Sequence, residues 1–327
     1  MIFFSAIILC YNQAPFLKER IDSVINQTYL NFEIIIIDDK SLDNSKAIIE
    51  EYRNNKRITN IIYHSENNGS PYGNWPEAVN IAKGDWIWIA EGDDFASTLF
   101  LEECEKQIKL FPSSGICYSD SNILNENSGR LTDRYSQRKN NSFCTDKWSS
   151  SHHANGKTEV NNFLKYGCTI NNISAMVFRK DIALPFIRST AIFRYYGDWF
   201  FCLQMCLSAN IGYISIPLNT YRLRSDSFLN AETSLVISKK EYFNILKLLV
   251  NHPAVIDKQK LIGHFAYHYL AFGLFKTSPG EKISILADYF KSDKKLAAKI
   301  TLKIIFIKLL SSRYKKKYEL KERHPAA

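Results

Sequence analysis

Short apolar runs alternate with amphipathic stretches over the first 120 residues of the chain. The apolar runs have the length and β-branched composition of buried strands, and they predict strands at 4–9, 33–37, 61–63, 86–90 and 115–118. Apolar residues at helical spacing between these runs predict helices at 15–27, 43–54, 74–82 and 98–110. We therefore predict an α/β fold built from βαβ units, with a Rossmann-like, mostly parallel sheet flanked by helices.

The pattern becomes irregular after residue 120 and then turns helical. Residues 122–159 are polar, rich in Asn, Ser and charge, and predict a long loop that is functional or disordered. The next residues predict a helix at 160–166, a strand at 173–178, a helix at 198–208 and paired short strands at 212–215 and 218–222. After residue 231 the pattern predicts a separate C-terminal helical extension, with helices at 235–250, 258–276, 279–291 and 294–314.

The composition is typical of a globular enzyme. With 327 residues, 46% of them hydrophobic and 23% charged, the chain can bury a full core and hold one large or two modest domains. Its seven cysteines include no Cys-x-x-Cys pair and favour a reducing cytoplasm over a disulfide framework or a zinc site. The apolar start at 1–9 lacks a basic segment and a cleavage site, so it is interpreted as a strand and not as a signal peptide.

The positive charge is concentrated at the C-terminal end. Residues 291–327 hold twelve Lys or Arg against three acidic residues, and this excess of nine equals the net charge of the whole chain. The near-neutral remainder argues against a nucleic-acid-binding groove. Lysines edge an apolar helix at 297–310, and three more follow at 315–317. Such a helix can lie in the interface of an anionic membrane, and the alternative is a helix that packs on the rest of the chain.

Carboxylates directly follow two of the predicted strands. Asp38 and Asp39 end the second strand, while Glu91, Asp93 and Asp94 end the fourth. Parallel strands present their carboxyl ends at one edge of a sheet, where ligands bind in open α/β folds. Hard oxygen ligands at that edge suit Mg²⁺ or Mn²⁺, which take one or two carboxylates together with substrate phosphates. Capping of the following helix is the alternative for both groups.

These motifs, in this order and spacing, resemble the inverting glycosyltransferases of family 2, which have the GT-A fold, and in particular those of bacterial surface-polysaccharide assembly. The resemblance rests on the stretches 5–12, 23–29, 32–45, 67–70, 82–85 and 91–94, and it extends over residues 1–227. It implies a GT-A domain at 1–228, with a nucleotide-binding half at about 1–120 and an acceptor half at about 121–228. Residues 229–327 then form the C-terminal helical region with its basic tail.

The resemblance also implies which side chains bind a nucleotide-diphosphate sugar. Tyr11, Asn12, Asp38, Asp39 and Asn68 correspond to the nucleoside pocket, in which Asp39 accepts a hydrogen bond from the base and Tyr11 packs nearby. A carboxylate at a strand end can accept from a base edge or a ribose hydroxyl, and an aromatic ring can stack on a base. Helix capping by the two aspartates and simple core packing of Tyr11 are the alternatives.

The metal motif of the family, Asp-x-Asp-Asp, corresponds here to the residues from Glu91 to Asp94, with glutamate in place of the first aspartate. The resemblance implies Asp94 and Asp93 as the leading groups: one holds the Mn²⁺ or Mg²⁺ ion that bridges the donor diphosphate, and the other binds the ribose or the sugar. The longer side chain leaves the role of Glu91 open. Arg224 stands where a histidine is common, and its guanidinium can clamp phosphate oxygens.

The acceptor side is expected to contain the catalytic base. Residues 194–201 resemble the start of the helix that carries it, and Asp198 is the candidate. A carboxylate at a helix N-terminus can accept the proton of a hydroxyl that attacks C1 of the sugar, and a single in-line displacement then inverts that carbon. An aspartate that only caps the helix is the alternative.

The predicted function is transfer of a sugar from a nucleotide-diphosphate donor to a hydroxyl of a saccharide or lipid-linked saccharide. We expect the protein in the cytoplasm, bound peripherally to the inner face of the cell membrane if the basic tail binds lipid. Two alternatives remain open: a non-catalytic saccharide-binding or scaffold protein on the same fold, and a sugar nucleotidyltransferase. The second normally needs a Gly-rich basic loop after the first strand, and residues 11–15 contain neither glycine nor lysine.

Overall fold

A computed structural model of the chain describes residues 1–170, 172–224, 234–273 and 279–309. The strands are β1 (Phe4–Cys10), β2 (Phe32–Asp38), β3 (Ile58–Tyr63), β4 (Trp86–Glu91), β5 (Phe95–Ala96), β6 (Ser114–Asn125), β7 (Arg130–Arg134), β8 (His152–Ala154), β9 (Met176–Arg179) and β10 (Asn210–Leu223). The α-helices are α1 (Ala14–Ile25), α2 (Ser45–Glu51), α3 (Trp75–Ile81), α4 (Phe100–Leu110), α5 (Tyr135–Phe143), α6 (Gly156–Glu159), α7 (Lys180–Ala183), α8 (Gly197–Ser208), α9 (Ser234–Asn251), α10 (Lys258–Gly273), α11 (Pro279–Ser292) and α12 (Lys294–Leu309).

One mixed sheet forms the centre of the described part of the chain. Its order is β3-β2-β1-β4-β9-β6-β10-β5, with β7 paired to β6 and β8 paired to β10. The first four strands in this order are parallel, and β9 lies antiparallel between β4 and β6. Ile7 of β1 packs into one hydrophobic cluster and Ile8 into the other, so helices cover both faces. This explains the unbroken apolar runs of the central strands and confirms the predicted α/β sheet flanked by helices.

The stretch at 122–159 is folded, contrary to the loop predicted from its polarity. β6 continues to Asn125, and β7, α5, β8 and α6 follow it. A few large aromatic residues supply the local core: Trp148 is buried, and its Nε1–H donates to the Tyr118 hydroxyl at 2.9 Å. His152 and His153 lie in β8, paired with β10, and not in a loop. The prediction was wrong because most side chains of these short elements face solvent, so polarity alone hides them.

The paired short strands predicted at 212–215 and 218–222 are in fact one strand, β10. Its pairing with β6 is parallel throughout, with register shifts on either side of Pro217. Proline has no backbone N–H to donate, so the strand bulges at this position and continues in the same direction. The predicted strand at 173–178 also starts later, because Ile173–Ala175 form a 3₁₀ turn before β9. The bulged course of β10 carries its last residues to the turn after β4, where β5 pairs with it.

The C-terminal helices share a hydrophobic core with the first part of the chain. Tyr242 of α9 lies with its ring centroid 5.2 Å from that of Trp199 in α8, and both helices contribute to the same buried cluster. The carbonyl of Ala254 accepts a hydrogen bond from Asn161. The predicted boundary at 228 and the basic tail beyond 309 lie outside the described residues, so the division into 1–228 and 229–327 stays a prediction. Among the described helices, none is long and apolar enough to cross a lipid bilayer.

Candidate active site

The carboxyl ends of β1, β2 and β4 meet at one edge of the sheet. Cys10 is in register with Asp38, and Leu9 is in register with Glu91, so the residues that follow these strands emerge side by side. At the same edge, the pairing of β10 with β5 brings the end of β10 beside the turn after β4. The sheet therefore gathers the sequence-predicted residues of four separate segments into one region.

Asp94 is buried, and both of its carboxylate oxygens have hydrogen-bond donors. Oδ1 accepts the backbone N–H of Arg222 at 3.0 Å, and Oδ2 accepts a bond from Asn172 Nδ2. The guanidinium of Arg20 lies 4.0 Å from Oδ2. These contacts tie the turn after β4 to β10 and to α1. These bonds give Asp94 a structural role in the turn, and its expected part in holding a cation stays a prediction.

Asp93 and Glu91 are the other two carboxylates of the acidic motif. Asp93 is partly exposed and meets the Arg224 guanidinium at 3.4 Å through Oδ2. Burial, followed by the charges of Asp94, Asp93 and Asp198, raises the pKa of Glu91 well above its usual range. No cluster of three or more potential metal-binding side chains occurs in the described part of the chain. In proteins, Mg²⁺ is usually bound by one or two carboxylates, and substrate phosphates and water fill its other coordination positions. A cation between two carboxylates also relieves their mutual repulsion. The residues of this motif therefore fit such an ion.

Asp39 is held by a dense hydrogen-bond network at the end of β2. Its carboxylate accepts bonds from the Asn67 and Asn68 side chains, at 3.0 and 2.9 Å, and from the Asn68 backbone N–H. His64 Nδ1 lies 2.9 Å from Asp39 Oδ1, and His64 Nε2 lies 2.8 Å from Glu77. Burial disfavours protonation of His64, but the bonds to Asp39 and Glu77 outweigh it and raise its pKa. Asp39 and Asn68 are thus brought together as predicted, although protein groups fill most of the acceptor capacity of Asp39.

The neighbouring residues of the predicted nucleoside pocket line the exit of β1. Asp38 is buried; Oδ2 accepts the backbone N–H of Ser41 at 3.1 Å, and Oδ1 has no partner among the described residues. Asn12 has a φ of 52°, a conformation that asparagine tolerates, and its Oδ1 accepts the N–H of Leu42 at 2.7 Å. The Tyr11 side chain is 46% exposed, so it is not a core residue. An exposed aromatic ring can stack on a base, and a carboxylate oxygen without a partner can accept a hydrogen bond from one.

Asp198 occupies the first turn of α8, where the sequence predicts it. Its Oδ1 accepts the backbone N–H of Trp199 at 2.7 Å and lies 3.3 Å from the Tyr72 hydroxyl. Burial raises the pKa of Asp198, and these two hydrogen bonds oppose the rise. A carboxylate with raised basicity is better matched to proton abstraction near neutral pH than an ordinary exposed aspartate.

The segment at 68–72 connects the nucleotide side of the site to the candidate base. The Asn68 side chain donates to Asp39 at 2.9 Å, and the Tyr72 hydroxyl lies 3.3 Å from Asp198 Oδ1. Burial raises the pKa of the Tyr221 phenol to about 12, and the charges of Asp94, Glu91, Asp93 and Asp198 add to the rise.

Five further residues of the site were missed by the sequence interpretation: Arg20, Tyr72, Asn172, Arg222 and Glu241. Arg20 interrupts the apolar face of α1, and a charge at a core-facing position was a usable signal. Its guanidinium is buried, and Nε donates to the carbonyl of Glu91 at 2.8 Å. Arg222 Nε donates to the carbonyl of Asp93 at 2.9 Å. The other four residues make contacts with residues distant in sequence. Such contacts leave no local pattern in the sequence, so nothing there indicated a role for these four.

Comparisons with known proteins identify the family of the chain. The sequence profile of glycosyl transferase family 2 matches residues 5–183. Glycosyltransferase GlyG of Streptococcus pneumoniae is 30% identical over 105 residues, which cover 32% of this chain and 35% of that protein. A poly(ribitol-phosphate) beta-glucosyltransferase of Bacillus spizizenii is 36% identical over 93 residues, which cover 28% of this chain and 15% of that protein. The chain thus matches only about a third or less of the length of these relatives.

Two solved structures resemble the fold over almost the whole chain. S. aureus TarS 1-349 in complex with UDP-GlcNAc superposes with a TM-score of 0.67 at 17% identity, covering 93% of this chain and 88% of that one. The mannosyltransferase PcManGT from Pyrobaculum calidifontis, in complex with GDP-Man and Mn²⁺, gives a TM-score of 0.54 at 13% identity, covering 99% of this chain and 85% of that one. At this identity the likeness establishes the GT-A fold alone. Because the family profile covers more than half of the residues, the chain belongs to glycosyl transferase family 2.

Proposed function

We propose that the protein is an inverting glycosyltransferase that moves a sugar from a nucleotide-diphosphate donor to a hydroxyl of a saccharide or lipid-linked saccharide. The observation that carries the proposal is the segment at 68–72, which contacts Asp39 through the Asn68 side chain and Asp198 through the Tyr72 hydroxyl. This contact supports a candidate base that lies across the site from the nucleotide. The relatives support the donor class, since TarS binds UDP-GlcNAc and PcManGT binds GDP-Man, and the Bacillus spizizenii relative supports a polymeric acceptor.

In the proposed mechanism, Asp198 accepts the proton of the acceptor hydroxyl as its oxygen attacks C1 of the sugar from the face opposite the leaving diphosphate. One displacement of this kind inverts the anomeric carbon. Tyr11, Asn12 and Asp38 bind the nucleoside, with Asp39 and Asn68 ordering the loop beside it. Each of these groups acts by position or by proton transfer, and none forms a covalent bond to the sugar.

Asp93 and Glu91 would hold a Mn²⁺ or Mg²⁺ ion at the diphosphate, with Asp94 fixing the turn that carries them. When bound, such a cation stabilises the negative charge that develops on the leaving diphosphate. The Arg224 guanidinium, 3.4 Å from Asp93, is positioned to contact phosphate oxygens bidentately. Arg222 supports this arrangement, since its guanidinium donates to the carbonyl of Asp93 and lies 4.5 Å from the centroid of the Phe16 ring.

The test is release of nucleoside diphosphate from a panel of nucleotide sugars in the presence of Mn²⁺ and candidate acceptors, with the anomeric configuration of the product determined by NMR. We expect Asp198→Asn to reduce transfer at least about 100-fold, because general base catalysis contributes about 10²–10⁴-fold. Asp181→Asn is the control, since Asp181 is exposed and pairs with Arg179 away from the site. Full activity of Asp198→Asn contradicts the base assignment. No turnover with any donor favours the scaffold alternative, and pyrophosphate release favours a nucleotidyltransferase.

We further propose that α12 attaches the protein to an anionic membrane surface, which suits a lipid-linked acceptor. Its exposed face combines Lys295 and Lys299 with Leu302, Ile305 and Phe306, which are 68%, 49% and 52% exposed. Large apolar side chains flanked by lysines match an interfacial helix, with about 1 kcal/mol contributed by each basic residue. Co-sedimentation with phosphatidylglycerol vesicles should decrease about 5-fold for Lys299→Gln. Equal recovery on neutral and anionic vesicles contradicts this proposal.

A further inference from the structure

Two side chains from other parts of the chain contact Asp198 or the segment directly before it. The first is Tyr72, which belongs to the 3₁₀ turn Pro71–Gly73 before α3 and is 8% exposed. Its hydroxyl lies 3.3 Å from Asp198 Oδ1 and 3.2 Å from the carbonyl of Tyr195. The ring lies so close to Gly197 that a Cβ at that position would be 2.5 Å from the Tyr72 ring. A glycine directly before Asp198 therefore makes room for the Tyr72 contact.

The second side chain is Glu241 of α9, in the C-terminal helical region. Glu241 is 5% exposed, and its carboxylate accepts three consecutive backbone N–H groups. Oε1 accepts from Arg194 at 2.6 Å, and Oε2 accepts from Tyr195 and Tyr196 at 2.9 and 3.1 Å. These peptides immediately precede α8, two to four residues before Asp198. Three charge-assisted bonds from one buried carboxylate fix the path of a segment that has no regular structure of its own.

We propose that Tyr72 and Glu241 form a two-sided clamp that positions Asp198 for proton abstraction, so that the C-terminal helical region is part of the catalytic apparatus. The inference rests on the proposed role of Asp198 as the base. Both residues act through Asp198 and its segment, so they are positioning residues and not catalytic ones. A general base must lie within hydrogen-bond reach of the acceptor hydroxyl, and a shift of about 1 Å can reduce the rate about 100-fold.

The clamp also connects the base to the donor side of the site. Asn68, which bonds to Asp39, precedes Tyr72 by four residues in one short segment. Within this segment, the Ser70 hydroxyl donates to the carbonyl of Phe193 at 2.9 Å. A single loop thus contacts the nucleoside pocket at one end and the base at the other. The donor and acceptor sides are thereby held at a fixed separation, as a single displacement step requires.

The two clamp residues have opposite electrostatic effects on Asp198. The Tyr72 hydroxyl donates a hydrogen bond to Asp198 and lowers its pKa, whereas the negative charge of Glu241 raises that pKa. Glu91, Tyr196 and Tyr221 also face Asp198 from other elements, and they stay unchanged when either clamp residue is replaced. Loss of the Tyr72 hydroxyl should therefore shift the acid limb of the pH–rate profile up, and loss of the Glu241 charge should shift it down. A purely structural effect would not move the limb in opposite directions.

The experiment compares Tyr72→Phe and Glu241→Gln by the pH dependence of kcat and kcat/KM for sugar transfer. We expect kcat to fall about 10-fold or more in each, with the donor KM changed less than about 2-fold, because neither residue binds the nucleotide. Tyr29→Phe and Glu105→Gln are matched controls. Tyr29 donates to the carbonyl of Ile2, and Glu105 pairs with Lys109, both away from the site.

Thermal melting of each variant separates misfolding from misplacement of the base. Opposite displacements of the acid limb, with control profiles unchanged, support the clamp. If both variants fold and show the acid limb of the pH–rate profile and the kcat of wild type, the clamp proposal is wrong. If Glu241→Gln does not fold, the acid limb of Tyr72→Phe is the deciding measurement. The Asp198→Asn variant distinguishes failure of the clamp proposal from failure of the proposed function. If Asp198→Asn is fully active, the assignment of Asp198 as the base is wrong. If Asp198→Asn is inactive while the clamp variants behave as wild type, only the clamp proposal is wrong.

Discussion

Replacing Asp94 with alanine tests whether this carboxylate holds the site together or serves mainly as a ligand. The side chain is 2% exposed, accepts bonds from the Arg222 N–H and Asn172 Nδ2, and lies 4.0 Å from the Arg20 guanidinium. Each lost bond leaves a buried donor unsatisfied and costs about 1–3 kcal/mol. Removal of one partner also leaves the buried Arg20 charge without its nearest counter-charge. We expect Asp94→Ala to lower the free energy of unfolding by about 3–5 kcal/mol.

The matched variant is Asp93→Ala, one residue away in the same turn. The Asp93 side chain is 26% exposed and meets Arg224 at 3.4 Å, and ion pairs of this kind contribute about 0–1 kcal/mol. Its carbonyl, which accepts from Arg222, is retained in the alanine variant. Urea denaturation without nucleotide or metal measures both losses. Thermal melting with UDP and Mn²⁺ should then show a rise in melting temperature for wild type that Asp93→Ala lacks.

The reasoning is refuted by either of two results. Equal losses of stability in Asp94→Ala and Asp93→Ala would mean that burial and filled hydrogen bonds do not distinguish the two side chains. A loss below about 1 kcal/mol for Asp94→Ala would mean that the bonds of this carboxylate contribute no more than an exposed ion pair.

Three further predictions concern other groups of the protein. Burial among aromatic rings lowers the pKa of Lys139 to about 7, so between pH 7 and pH 10 the unfolded chain binds more protons and stability rises with pH. Lys139→Met should lose this rise, and parallel stability curves for the two proteins would contradict the assignment. Gly197→Ala places a Cβ 2.5 Å from the Tyr72 ring and should destabilise the fold by about 1–3 kcal/mol in calorimetry and lower kcat. His64→Gln removes the imidazole whose two nitrogens contact Asp39 and Glu77, so it should raise the donor KM several-fold in steady-state kinetics at unchanged kcat.

Much of the fold follows from the sequence because its central strands are unusual in composition. β1 and β2 consist mainly of Ile and other apolar residues that are buried on both faces, and only a covered parallel sheet provides such an environment. The carboxylates after β2 and β4 could be assigned to one edge for the same reason. The polarity pattern gave a wrong prediction at 122–159, because the short elements there bury few of their side chains. The prediction was also wrong at β10, where Pro217 produces a bulge and not a turn.

The candidate site shows the same division between local and long-range information. From periodicity and from residues close together in the chain, one could predict the parallel part of the sheet and the acidic residues at its carboxyl edge. The bonds of Asp94 to Arg222 and Asn172, and those of Tyr72 and Glu241 to Asp198 and the segment before it, are visible only in the folded chain. Those contacts join residues more than forty positions apart. Hydrogen bonds over such separations are set by packing and closure of the chain, and no local pattern encodes them.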